Sequence, residues 1–129
     1  MVIESNLHNG LGIVRGDVFS IRRTVNKIPS SRTVVEAWLT VKAAVADVDA
    51  SATFQKIITS TDSAGTGQIE DTGADGSAVI RFDITAANTT AMTASTSYFY
   101  DIQIRLDNSA ILTLESGTTS ATAQITIDS

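Results

Sequence analysis

Period-2 alternation of apolar and polar residues recurs along this chain, and it limits the possible folds more than any other feature. Successive side chains of a β-strand point to opposite faces, so alternation marks strands with one face buried. The clearest run is residues 97–106, where Tyr98, Tyr100, Ile102 and Ile104 point one way and Phe99, Asp101, Gln103 and Arg105 the other. Residues 77–84 set Ala78, Ile80, Phe82 and Ile84 against Val79, Arg81 and Asp83. A strand over residues 17–25 puts Phe19 and Ile21 on one face, with Ser20, Arg22 and Thr24 opposite. A strand over residues 33–42 turns Val35, Ala37, Leu39 and Val41 toward a core and Glu36, Trp38, Thr40 and Lys42 away from it.

Between these runs the punctuation is that of turns. Pro29 with Ser30 and Ser31 ends the first strand. Residues 43–51 lose the alternation and read as a loop or one helical turn. In residues 53–59, Phe54, Ile57 and Ile58 compete for the inside. Residues 60–67 are turn-rich, and 68–72 form a possible short strand. Gly73-Ala74-Asp75-Gly76 reads as a tight hairpin turn, because Asp-Gly tolerates the positive φ such turns need. Thr85 caps a short helical turn running to Met92, and Asp107-Asn108-Ser109 makes a turn. Residues 111–115 and 121–127 read as the last two strands, separated by Gly117 and its Thr and Ser neighbours. Short strands at close spacing, with no long helical pattern between them, specify a β-sandwich.

A chain of 129 residues fits one domain, and no internal repeat or linker divides it. Residues 14–129 are assigned to the sandwich and residues 1–13 to an N-terminal arm. The arm is polar and contains Gly10 and Gly12, as a frayed terminus would. It also carries Val2, Ile3, Leu7, Leu11 and Ile13, which suit an arm that orders against a neighbouring subunit.

The residue inventory argues against an enzyme. The one histidine, His8, lies in the arm, so a Ser-His-acid triad would have to be built there. The cysteine count is zero, which removes disulfides, thiolate metal sites and a cysteine nucleophile. Asp83 and Asp101, candidates for a facing carboxylate pair on neighbouring strands, both point outward by period. Ala64-Gly65-Thr66-Gly67 is not followed by the Gly-Lys-Ser/Thr of a phosphate loop. Asp47, Asp49, Asp62, Glu70, Asp71 and Asp75 lack calcium-loop spacing and read as turn chemistry. Arg15-Gly16-Asp17 matches an adhesion tripeptide but reads as a bend leading into a strand, and Asn88-Thr89-Thr90 fits a glycosylation sequon with nothing to suggest a secretory route. No cofactor or metal is expected. A net charge of -5 with scattered basic residues argues against nucleic acid as a partner. The N-terminus does not read as a signal peptide and no apolar run approaches membrane-spanning length, so no membrane partner is expected.

Aromatics make up only 5% of the chain, which makes those on the off-core face informative. Trp38 and Phe99 both fall there by period. Each suits a side cluster beneath a loop or a subunit interface, where aromatics are enriched. Phe99 also has Asp101 and Gln103 on its own strand face, an arrangement that suits a sugar platform.

Several segments share an order with a known group. They are Gly16 to Ile21, with Gly-Asp leading into Phe-x-Ile; Ala37 to Lys42, Ala-Trp-x-Thr-Val-Lys; and Asp47 to Lys56, Asp-x-Asp-Ala before Phe-Gln-Lys. Ile84 to Thr89, Tyr98 to Gln103 (Tyr-x-Tyr-Asp-Ile-Gln) and Glu115 to Ile127 after Glu-Ser-Gly complete the set. Over about residues 14–127 this order resembles small immunoglobulin-like virion structural proteins of tailed bacteriophages, and is similar to the N-terminal module of phage baseplate upper proteins. The resemblance implies an all-β, immunoglobulin-like β-sandwich of about seven or eight antiparallel strands with an extended N-terminal arm. It implies a non-enzymatic virion protein that docks on a symmetric capsid or tail assembly as an accessory subunit, whether as decoration or cement or as a neck, tail or baseplate adaptor. Baseplate upper proteins carry further domains after such a module, which for a chain of this length favours the accessory role. Its partners would be other virion proteins and further copies of itself, with Val2, Ile3, Leu7, Trp38 and Phe99 as interface residues. A carbohydrate-binding or host-adhesion module is the alternative.

Overall fold

Alternation becomes two stacked sheets. The computed structural model describes residues 3–5, 12–14, 18–26, 28, 32–44, 52–74, 76–93 and 96–122. Among them lie nine strands and one short helix: β1 (Ile3–Ser5), β2 (Gly12–Val14), β3 (Phe19–Asn26), β4 (Val34–Lys42), β5 (Phe54–Ile58), β6 (Gly67–Thr72), β7 (Ser77–Ile84), α1 (Ala86–Thr90), β8 (Ser97–Leu106) and β9 (Ile111–Thr122). One sheet has the order β1-β3-β7-β6 and the other β2-β9-β8-β4-β5. The seven longer strands alone make antiparallel sheets of three and four strands. The fold is thus an all-β sandwich.

The strand order is that of the immunoglobulin sandwich, which sets strands A, B, E and D against G, F and C. Here β1, β3, β7 and β6 take the first four places, β9, β8 and β4 take the next three, and β5 extends the second sheet beyond β4. The first strand is split between the sheets. β1 pairs antiparallel with β3, Ile3 opposite Val25, while β2 pairs parallel with β9, Ile13 opposite Ala121. The segment read from the sequence as an arm therefore supplies an edge strand to each sheet, and these strands cover edges that would otherwise invite pairing with other chains.

Inward-facing residues of both sheets fill the space between them. Ile21 and Val25 of β3, Ala78, Ile80, Phe82 and Ile84 of β7, Leu39 and Val41 of β4, and Ile102 and Ile104 of β8 are all buried. Each large apolar side chain so buried contributes about 1.5–3 kcal/mol. Ile57 faces out while Phe54 and Ile58 face in, which settles their competition. The hairpin turn before β7 forms as expected, with positive φ at Gly73 and Gly76 and Gly76 N–H donating to Gly73 O. Thr85 caps α1 reciprocally with Asn88. Tyr98 accepts a hydrogen bond at its hydroxyl from the Thr93 N–H at 2.7 Å, tying the start of β8 to the chain five residues upstream in the manner of a tyrosine corner.

Two irregularities correct the simple alternation. An extra residue in β4 between Val34 and Glu36 puts Val34 in the core in place of Val35, which is only half-buried. In β9 the register shifts so that Ile102 faces Glu115 and Gln103 faces Thr113, leaving Leu114 as the extra residue. That bulge turns Glu115 inward. The final segment is also one continuous strand from Ile111 through Thr122, not two strands broken at Gly117. Gly117 lies opposite Tyr100, and a Cβ there would sit 3.3 Å from the Tyr100 ring. The glycine makes room for an aromatic neighbour within the strand.

Alternation along β3 sends Arg23 inward between Ile21 and Val25, and its side chain is 1% exposed. Its guanidinium crosses to the other sheet, donating from Nε to Glu115 Oε1 at 2.9 Å and from Nη2 to Oε2 at 3.3 Å. The Tyr100 hydroxyl donates to Glu115 Oε2 at 2.5 Å. Burial alone pushes the Glu115 carboxyl up, but the Arg23 and Tyr100 hydrogen bonds and the Arg23 charge outweigh it and hold the group below its ordinary value. Burial, then the Glu115 hydrogen bond and charge, push the Tyr100 hydroxyl well above its ordinary value.

Removing one partner of this pair strands the other. Arg23→Met is expected to cost about 3–5 kcal/mol in chemical denaturation, and adding Glu115→Leu should recover most of that loss. A double variant as unstable as the single one would contradict the pairing. Gly117→Val should cost about 1–3 kcal/mol by displacing the Tyr100 ring, read in the same experiment. The titrations bound a stability plateau. Glu115 is depressed when folded, so its contribution is present above the ordinary value of 4.5 and lost as pH falls through the lower folded value. Tyr100 is raised, so its contribution is present below 10.0 and lost as pH climbs beyond that. Denaturation midpoints across pH should fall at both ends, and Glu115→Gln should flatten the acid limb.

Candidate interaction face

The two outer faces of the sandwich differ in chemistry. On the three longer strands of the first sheet, charges satisfy one another. Arg22 Nε donates to Glu70 Oε1 at 2.6 Å, and Arg81 reaches Glu70 Oε2 at 2.9 Å, Asp62 Oδ1 at 2.8 Å and Asp83 Oδ1 at 3.1 Å. Ser20 Oγ adds a bond to Asp83 at 2.7 Å. The Arg22 hydrogen bond first, and then Arg81, hold Glu70 below the usual carboxylate range. The outer face of the five-stranded sheet pairs charges as well, with Arg105 Nε 3.6 Å from Glu36 Oε1, and differs in the exposed apolar side chains it carries.

The outer face of the five-stranded sheet is laid out in five cross-strand rows, the last of them Ser97, Ser120 and Gly12. Glu36, Arg105 and Ile111 form the first; Ile57, Trp38, Gln103 and Thr113 the second; Gln55, Thr40, Asp101 and Ser116 the third; and Lys42, Phe99 and Thr118 the fourth. Trp38 and Phe99 thus share one face of one sheet, two rows apart. Trp38 is half-buried between Ile57 and Gln103. Phe99 is 38% exposed. Among the described residues the exposed large apolar side chains are Val18, Ile57, Phe99 and Ile111, and three of those four lie here. Between the third and fourth rows the backbone of β8 and β9 floors a groove of about 370 Å³, walled by Thr40, Lys42, Phe99, Asp101, Ser116 and Thr118. Gln55 donates to Thr40 and Gln103 donates to Thr113, which orients these polar side chains along the rows.

The remaining candidates distribute as follows. Ile3 holds a backbone position in β1, and Val2 and Leu7 lie outside the described residues. His8, Asp47, Asp49, Asp75 and the Arg15-Gly16-Asp17 triplet also lie outside them. Asp83 and Asp101 do not sit on neighbouring strands. β7 and β8 belong to different sheets, so the two carboxylates face solvent on opposite sides of the sandwich. Asp62 and Glu70 bind Arg81, and Asp71 accepts from the Gly73 N–H at 2.9 Å. Asn88 is occupied with capping α1. The 64–67 segment forms a turn, with Thr66 and Gly67 N–H both donating to Ser63 O.

Two interior cations escaped the sequence reading. Arg23 is one, and its signal was plain in retrospect: it falls on the same strand face as Ile21 and Val25. Lys56 is the other. It points inward on β5 beside Phe54 and Ile58, and its Nζ donates to Gly65 O at 2.7 Å. Burial pushes this amine below its ordinary value, with the Asp83 charge opposing. Lys56 therefore ties the loop before β6 to the sandwich. No protein-family model matches this chain, and no curated protein matches it.

Proposed function

We propose that this chain is a non-enzymatic structural subunit of a phage virion, an accessory protein that docks on a symmetric capsid or tail assembly. The observation that carries the reading is the outer face of the five-stranded sheet. It collects Trp38, Ile57, Phe99 and Ile111 in a chain poor in aromatics, whereas the outer face of the other sheet is covered by the network of Arg22, Arg81, Glu70, Asp62 and Asp83. Aromatic and aliphatic side chains on a hydroxyl-rich sheet face bury readily against another protein. Repetition over a symmetric particle then multiplies a modest single contact. The pattern-level resemblance of residues 14–127 to immunoglobulin-like virion proteins supplies the assembly, and the sandwich fold agrees with it.

A second reading, a carbohydrate-binding or host-adhesion module, draws on the groove beside Phe99. An aromatic wall with the Asp101 carboxylate and Ser116 and Thr118 hydroxyls has the chemistry to stack on a sugar ring and bond its hydroxyls.

Quantitative mass spectrometry of purified virions from a phage encoding this chain separates the two. The virion reading expects the chain at a copy number matching a symmetric assembly, and a Phe99→Ser, Trp38→Ser double variant should drop from the particles while remaining folded. Absence from washed particles, together with retention of the wild-type chain on immobilised glycans and its loss in Phe99→Ala, would replace it with the second reading.

A further inference from the structure

A sandwich of open sheets ends in edge strands, whose free N–H and C=O groups invite pairing with another chain. On the side away from β1 and β2 the edges are β6 and β5. The β6 edge is met by the segment that leads into it. Ile69 N–H donates to Thr59 O at 2.7 Å, Gln68 Nε2 donates to Ser60 O at 3.0 Å, and Ser63 forms a bridge with Gly67. Among the described residues β5 pairs with β4 alone. Its sequence, Phe-Gln-Lys-Ile-Ile, has no proline or glycine to interrupt a new strand, and Ile57 stands 46% exposed on its outer face.

One residue of β5 breaks the pattern. Lys56, opposite Leu39, lies on the inward face between Phe54 and Ile58 and is only 8% exposed. An apolar side chain at this position would complete the alternation. The lysine instead runs to the rim of the sandwich, where Nζ donates to Gly65 O at 2.7 Å. Gly65 lies two residues before β6, the edge strand of the other sheet. An ammonium carries three N–H donors, and the Gly65 carbonyl satisfies one of them. Among the described residues Nζ has no second hydrogen-bond acceptor, so its remaining donors depend on water at the rim. A strand added along β5 would extend the sheet past this rim and shut that water out, sealing in a charge that is short of partners. Inward-pointing charges on edge strands are a recognised means of discouraging such additions.

From this placement we propose that Lys56 guards the β5 edge. Its inward charge keeps β5 from accepting a strand of another chain, so that contacts form on the outer face of the sheet and do not lengthen the sheet itself. The inference does not depend on the virion reading. Full-chain variants test it by light scattering over a concentration series, with circular dichroism to check the strands. Lys56→Met keeps an unbranched stem and removes the charge. Lys56→Gln removes the charge but keeps a donor for Gly65 O. Both should self-associate at concentrations roughly tenfold or more below any at which the wild-type chain does. Hydrogen exchange at the amides of residues 54–58 should slow in the associated species. Lys56→Arg, which restores the charge, should behave as wild type. Adding Phe99→Ser to Lys56→Met should leave the association in place, because Phe99 belongs to the outer face of β8. Dissociation by that addition would assign the contact to the outer face and overturn the proposal. Folded Met and Gln variants no more associated than wild type, an Arg variant as associated as the Met variant, or association without slowed exchange in β5 would each overturn it too. Loss of the fold in both uncharged variants would make Lys56 a requirement of the core and overturn it equally.

Discussion

The sandwich turns on an ion pair that bridges its sheets, with Arg23 buried and Glu115 partly so. Arg23 belongs to one sheet and Glu115 to the other, and the Tyr100 hydroxyl completes the carboxylate's contacts. In antibody-type immunoglobulin domains a disulfide links the second strand of one sheet to the strand equivalent to β8. This chain has no cysteine, and its ionic link runs from β3 to β9 instead, with β8 contributing the Tyr100 hydroxyl. Tyr100 stands two residues after the tyrosine-corner residue Tyr98, where the second cysteine would be. Much else follows from satisfying this pair. The β9 bulge aims Glu115 inward, and Gly117 leaves space for the Tyr100 ring. A charge taken out of water tolerates little misalignment, so the pair constrains how the two sheets sit on one another while adding little net stability over a well-packed apolar pair.

Much of the fold was legible because alternation is a direct consequence of strand geometry. Residues 77–84 and 97–106 alternate cleanly and form β7 and β8 over those spans. The departures have physical causes that period counting does not register. A bulge adds one residue and reverses the phase, which misplaced Val35 and hid the inward turn of Glu115. Gly117 reads as a strand breaker when taken alone, but in the sheet it answers to a ring on the neighbouring strand. Arg23 was passed over because charge suggests solvent, although its period said otherwise.

The candidate face was half legible. Strand alternation put Trp38 and Phe99 off the core, but only sheet topology shows that β4 and β8 are adjacent and that the two rings share a surface. The row arrangement of Glu36, Lys42, Asp101 and Arg105 depends on the same registers, and register across strands distant in sequence is not written in either strand alone. Trp38 also departs from the antibody pattern, in which a tryptophan of the equivalent strand is buried against the disulfide. Here it takes the opposite phase and faces outward, and the inward positions of β4 go to Ala37, Leu39 and Val41.

The split first strand bears on how the protein is made. A ribosome releases the N-terminal segment first, yet β2 pairs with residues 120–122 of β9, and Arg23 finds its carboxylate 92 residues further along the chain. Contacts of such long sequence separation carry a large loop-closure cost and are made late. Until β9 emerges, an unneutralised guanidinium favours water over the space between the sheets. Stable closure therefore waits for β9, and until then the strands already made expose apolar faces and unpaired edges.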